Sequence, residues 1–387
     1  MVAAYRWKVP MPRVTLITLL ATIVARGAFA AGPPPIPAIQ SITPLPIVAQ
    51  NPAVLERDGT YSALINGASY WAFNDTALSA PNASGENFFS NSLSWASSLD
   101  ASSGIVLNHD QTDSSGLPAQ FIPFSATEAQ FNSEHAGKPC QVKPCGEGLA
   151  IWPGPLVYNS ANQQILIPFG LIVRGGPISG FQGAGAGIAV GTLNADGTMS
   201  VTRPVQGIGR DPNLMWPAGA QAFTDEAFIL DGYYYAYGGK NVFVTTEDLL
   251  ARVPVAEVMN RLAWTYYAGN ETWSKNVRDA VPVFDGSASG SSVFYDQFLK
   301  EWVAIFSGNF SNDIYYAVAY APEGPWSAAT LLTTGLAGYD NNADYAARAH
   351  PEFSPDGGQT EYITYVQSTG AFGQDLPTLQ VVFAPPE

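Results

Sequence analysis

Five hairpin-like units, with almost no helical periodicity between them, confine this chain to β architectures. The first unit runs Thr60–Ile65, turns at Asn66-Gly67 and returns over Ala68–Asn74. The second spans Gly148–Tyr158 and Gln164–Val173, and the third joins Glu226–Leu230 to Tyr233–Tyr237 through Asp231-Gly232. The fourth is Ser292–Tyr295 with Trp302–Ser307, followed by Asp313–Tyr320. The fifth is His350–Phe353, a turn at Asp356-Gly357-Gly358, Thr360–Val366 and then Thr378–Phe383. Short apolar runs bounded by Gly, Asn and Asp are strand-and-turn signals. The 37 Gly and 30 Pro, with 9 Trp, 18 Tyr and 20 Phe, agree with that reading. Helical periodicity is confined to Thr246–Trp264, which predicts one or two short helical pieces broken at Pro254.

A lone hairpin unit cannot bury both of its faces, so repeated units stack on one another. The expected fold is therefore all-β, a five-bladed β-propeller. The last unit shows three strands, and Thr43–Ala49 is the candidate fourth, which would close the ring from the N-terminal side. A β-sandwich is the rival, but it calls for evenly spaced strands without this recurrence.

The N-terminus reads as a targeting segment. Arg6, Lys8 and Arg13 precede the apolar run Val14–Val24, and Ala28-Phe29-Ala30 is a small-x-small cleavage site, so residues 1–30 are expected to be a secretory signal peptide. Residues 31–42 are a Pro-rich linker, and 43–387 are the propeller domain. The 387 residues carry 17 basic and 32 acidic side chains, a formal charge of −15. Cleavage removes Arg6, Lys8, Arg13 and Arg26 and no acid, which leaves −19. Such a balance repels phosphate backbones and excludes nucleic acid as a partner. The chain is expected to be extracellular, free of the membrane after cleavage, and monomeric. Cys140 and Cys145 are the only cysteines and are expected to pair in an oxidising compartment. Sequons stand at Asn74, Asn82, Asn270 and Asn309, of which Asn74 falls inside an expected strand.

The first hairpin carries the chemistry. Asn-Gly implies a type I′ turn, which sets the register of the two strands. That register brings Asp58 and Asp75 directly opposite one another at the hairpin's open end, as a close non-hydrogen-bonded pair. Two facing carboxylates repel, and unless a cation or Arg57 neutralises them one must hold its proton. A carboxyl pair of unequal acidity is what glycoside hydrolysis requires. Trp152, Glu226, His350 and Glu352 precede or begin strands of other units and are the expected substrate contacts; Glu147 and Asp225 lie beside them. No metal site or cofactor is expected: there is no phosphate loop, no nucleophile elbow and no calcium loop of the helix–loop–helix type. Ser354–Thr360 has the form of a sialidase Asp-box turn, with Glu361 in place of its Trp.

The stretches Asp58–Ser62, Trp71–Thr76, Phe88–Ser92, Ala321–Trp326 and His350-Pro351-Glu352 resemble the secreted domain-of-unknown-function 4185 group, from about residue 51 onward. That resemblance implies a five-bladed propeller and an activity like the endo-D-arabinanases of glycoside hydrolase family 183, with Asp58 and Asp75 as the catalytic acids. The combined expectation is a glycoside hydrolase acting on an arabinan-type furanoside polysaccharide, with Asp58 and Asp75 as acid and base (or nucleophile). Carboxyls ~5 Å apart would give retention and ~6.5–9.5 Å inversion, the outcome preferred here. A non-catalytic carbohydrate-binding or cell-surface propeller is the alternative.

Overall fold

The computed structural model describes residues 32–138, 143–175, 180–207, 211–242, 245–370 and 373–386. The leader 1–30 and Cys140, hence the predicted Cys140–Cys145 pairing, lie outside the described residues. The chain is all-β apart from one α-helix and several single 3₁₀ turns among those residues.

Five antiparallel sheets, each with a run of four or, in the third, five hydrogen-bonded strands, follow one another along the sequence. The first holds Tyr61–Ile65, Ala68–Phe73, Ser92–Ala96 and His109–Asp110. The second is built on Gln164–Gly175 and Phe181–Leu193, flanked by Glu147–Pro153, Val157–Asn159 and Met199–Thr202. The third is centred on Tyr233–Val242 and Thr245–Pro254, the fourth on Glu301–Ser307 and Asp313–Ala319. The fifth joins Tyr345–Ala349, Thr360–Gly370 and Thr378–Phe383 to Ile39–Leu45 from the N-terminal side. A separate three-stranded sheet of Val54–Arg57, Thr76–Leu78 and Phe88–Phe89 stands beside the first.

Apolar burial joins each sheet to the next. Tyr61, Ile65 and Leu93 pack with Ile151, Ile167 and Phe169 between the first two sheets. Ile188 and Trp216 meet Tyr234 and Val253 between the second and third. Tyr237 and Leu250 meet Trp302 and Phe306, and Ile305 and Tyr316 meet Ile363 and Val381. A fifth layer sets Trp71 and Phe73 of the first sheet against Tyr362 and Val366 of the last.

Four expectations need correction. Thr246–Trp264 is not helical: Thr245–Pro254 is a strand hydrogen-bonded on both sides, followed by 3₁₀ turns at Val255–Glu257 and Arg261–Ala263. Its Leu-Leu-Ala centre is buried on both faces, which blurs helix and strand periods. The one α-helix, Ala126–His135, was not expected, because it has no apolar stripe. It is held by a capping box from Ser125 and Glu128, and Glu128 is ion-paired with Arg203. The fifth sheet begins at Tyr345–Ala349, and His350–Phe353 lies beyond it, with a 3₁₀ turn at Pro351–Phe353. Pro351 has no N–H to give a ladder. Finally, the joining strand is Ile39–Leu45 rather than Thr43–Ala49, so it starts inside the expected linker; Pro46 ends it.

Ile39–Leu45 pairs along Thr378–Phe383, Ile39 and Ile42 pack on the fourth-to-fifth core, and Tyr316 donates to the Pro37 carbonyl at 2.7 Å. Truncation to begin at Pro46 strips these contacts and bares a sheet edge. We expect the midpoint in differential scanning calorimetry to fall by at least about 5 °C; an unchanged midpoint would contradict this role.

Candidate active site

The turn is as expected: Asn66 and Gly67 have φ of 50° and 86°, and the ladder pairs Tyr61 with Ala72 through to Ile65 with Ala68. Beyond Tyr61 the ladder breaks. Gly59 (φ 92°) and Thr60 (φ 47°) swing the backbone through the left-handed region, and Asn74 N–H donates to the Asp58 carbonyl at 2.8 Å. Pairing resumes with Arg57 opposite Thr76, now in the small three-stranded sheet. Asp58 and Asp75 occupy the gap where one hairpin passes from one sheet into another. A β-branched residue in the left-handed region is costly. Gly59 cannot readily be replaced either, since a Cβ there would lie 3.0 Å from the Asn74 side chain.

Both aspartates line a cleft of about 770 Å³, to which every one of the five sheets or its leading loop contributes. Trp152, Ile172 and Phe181 come from the second sheet, and Thr224 and Asp225 precede the third. Ala288 and Ser289 precede the fourth, and Tyr345, Arg348 and Gln374 come from the fifth. Trp152 and Phe181 meet edge-to-face at 5.0 Å and form an apolar wall.

The two carboxyls differ in their surroundings. Asp58 accepts from Tyr345 Oη at 2.7 Å, and Gln374 Nε2 donates to that phenol at 2.8 Å. The other Asp58 oxygen is buried without a partner. Burial pushes the Asp58 carboxyl up to about 7; the Asp75 charge adds to this, while Tyr345 and Asn74 oppose it. Asp75 is ion-paired with Arg174. Burial raises it too, but by less, because Arg174 and then the Trp152 indole favour its charged form. Arg57 does not neutralise the pair. Its guanidinium is fully buried, stacked 3.8 Å from the Phe73 ring, and donates to Gln50 and Ser94 beside Asp110. The compensating cation is Arg174, from the far end of Gln164–Gly175.

Of the four expected substrate contacts, Trp152 lines the cleft and three do not. Glu226 is turned to the third-to-fourth interface and accepts from Ala227 N and Val293 N, at 2.9 and 3.3 Å. Its neighbour Asp225 takes the cleft position, because adjacent residues of an extended chain face opposite ways. His350 is fully buried, stacked on Trp71 at 4.1 Å, with Ser62 Oγ and Thr364 Oγ1 each 2.7 Å from a ring nitrogen. Glu352 accepts from Ser69 Oγ at 2.5 Å, and Ser69 in turn accepts from Trp71 Nε1. Both belong to the seam between the last sheet and the first. Residues not anticipated at the site are Arg174, Tyr345, Gln374, Arg348 and Phe181. Asn74 lies past the strand end and lines the cleft, while the Asn82 amide is buried, its Oδ1 accepting from Ser84 N and its Nδ2 donating to the Pro118 carbonyl.

The sequence profile of the domain-of-unknown-function family DUF4185 matches residues 195–370. That stretch runs from the end of the second sheet into the fifth and leaves out Asp58 and Asp75. No curated protein matches the chain. Among solved structures, a candidate hydrolase from Bacteroides ovatus is 16% identical with a TM-score of 0.53, covering 84% of this chain and 85% of that one. At that identity the likeness is one of fold. The catalytic domain of a GH62 α-L-arabinofuranosidase from Coprinopsis cinerea aligns at 9% identity and TM-score 0.47, over 91% of this chain and 100% of the other. A GH43_1 enzyme from Xanthomonas citri complexed with xylotriose aligns at 13% and 0.47, over 86% and 90%. These last two are too remote to carry an argument.

Burial, and secondarily Arg348, pushes the His350 imidazole down to about 3 from an ordinary 6.5. The unfolded chain therefore takes up a proton that the folded chain refuses as pH falls below 6.5. Relative to a His350→Gln variant, the wild type should lose about 2 kcal/mol of stability between pH 7 and 5. Urea denaturation at the two pH values measures this; parallel losses in both proteins would show the ring to be solvated.

Proposed function

We propose that the protein is a secreted glycoside hydrolase that cuts a furanoside polysaccharide of the arabinan type. On this reading the five sheets are blades of a five-bladed β-propeller, closed by Ile39–Leu45, with the cleft at the ring's mouth. Five core layers, one between each pair of successive sheets and one from last to first, support the ring. The observation that carries the activity is Asp58 and Asp75 in one cleft, with Asp58 near neutrality and Asp75 paired with a cation. One carboxyl protonates the leaving oxygen while the other activates water, through an oxocarbenium-like transition state. The Trp152–Phe181 wall offers apolar faces to sugar rings. The leader at residues 1–30 would route the enzyme out of the cell, where such a polymer is met. The sequence resemblance to the DUF4185 group supports the arabinan assignment.

The test is incubation of the mature protein with arabinans, galactans and xylans, with chromatography of released oligosaccharides. Arabinan-derived products are expected, and Asp58→Asn and Asp75→Asn should each lower kcat by about 10²–10⁴-fold with the fold intact. Sugar binding without product release would replace this reading with a carbohydrate-binding propeller.

A further inference from the structure

Resting on the hydrolase reading, we infer that Arg174 is the positioning residue that makes Asp75 the base and leaves the proton on Asp58, while Tyr345 holds the Asp58 carboxyl in place. Each reaches its carboxyl from a different neighbouring sheet. Arg174 comes from the second and is stacked 4.5 Å from the Phe88 ring, an apolar surface that limits the directions its guanidinium can take. Its Nη1 contacts Asp75 Oδ1. The Trp152 indole also favours the charged form of this carboxyl, which lines the cleft. Tyr345 comes from the fifth sheet and is itself held by Gln374. It donates to one Asp58 oxygen, which limits how far burial raises that carboxyl. The other oxygen is buried without a hydrogen-bond partner, with the Asn74 side chain beside the carboxyl. That suits a carboxylic acid better than a carboxylate, whose two oxygens would both need donors.

The ionisable groups around the pair leave no other assignment. Glu56 presses on both aspartates, and Tyr61 lies within the field of Asp58. Glu86 shares the field of Arg174. All of these are acids. Arg348, the cation lining the cleft, lies over the Tyr61 ring and donates to the Ser289 carbonyl, so among the described residues the cation paired with either aspartate is Arg174, on Asp75. A single proton on the pair therefore rests on Asp58. In the reaction that proton passes to the glycosidic oxygen, which keeps the electron pair of the breaking bond. Asp75 takes a proton from the water whose oxygen bonds to the anomeric carbon. Exchange with solvent then returns Asp58 to the acid and Asp75 to the carboxylate.

The experiment is the pH profile of kcat/KM on arabinan for wild type, Arg174→Met, Arg174→Lys and Tyr345→Phe, with circular dichroism to establish folding. Loss of the cation makes Asp75 harder to ionise, so Arg174→Met should lose at least about tenfold on the acidic limb relative to its own optimum. A lysine restores a point charge, and Arg174→Lys should recover most of that limb. Tyr345→Phe removes a donor to ionised Asp58 and should move the alkaline limb to higher pH. A folded Arg174→Met with the wild-type acidic limb would overturn the inference. If the wild type cleaves no glycan, the hydrolase reading fails, and carbon-13 titration of the carboxyls decides the inference by itself. The Asp75 signal should move to higher pH in Arg174→Met, or in Arg174→Ala if the former does not fold. A stationary signal would overturn the assignment.

Discussion

One backbone hydrogen bond organises the candidate site: Asn74 N–H to the Asp58 carbonyl, across the step at Gly59 and Thr60. Without that step the two strands would continue as an ordinary ladder, and both aspartates would be strand-end residues in water. With it, the hairpin leaves the first sheet, and its strands re-pair in the separate three-stranded sheet. The carboxyls are left at the junction, where no backbone ladder competes for the space. The strain of a left-handed Thr60, whose buried hydroxyl has no partner, is tolerated because pairing on both sides over-determines the backbone.

The electrostatics follow from that placement. The cleft gathers Glu56, Asp58, Asp75 and Asp225 against Arg348 within it and Arg174 just behind it. More acidic than basic groups in one cleft, together with burial, means that some carboxyls hold protons near neutral pH, and Asp58 at about 7 is one of them. Arg348 has a different part. It is almost fully buried, lies 4.0 Å over the Tyr61 ring and donates to the Ser289 carbonyl, and its charge eases Asp225, Glu226 and Asp248. Arginines from two sheets thus temper separate acidic groups.

Much of this was legible in the sequence wherever a local rule decides the outcome. Asn66-Gly67 specifies its own turn, and the turn specifies the register of Tyr61–Ile65 with Ala68–Ala72; the break at Gly59 and Thr60, where Asp58 and Asp75 sit, was not foreseen. The first, third and fourth hairpin units emerge at almost the expected boundaries. What failed depended on distant packing. Arg174 could not be read as the partner of Asp75, because nothing local tells the end of a strand in the second sheet which way to lean. Glu226 was preferred over Asp225 because parity depends on where a strand starts, and one residue of error reverses the face. His350 and Glu352 were placed at a strand start because Tyr345–Ala349, a short run rich in alanine, resembles a loop. The helix Ala126–His135 had a readable signal in Ser125 and Glu128, but apolar spacing hid it.

On the assignment inferred above, Asp58 and Asp75, which line one cleft at the junction, hold one proton between them. Neutron diffraction from a deuterium-exchanged crystal at pH 6 sees that proton directly. The expected density is a deuteron on Asp58, with Asp75 bare and contacted by Arg174. Two bare carboxylates, or side chains pointing to opposite sides of the hairpin, would contradict it.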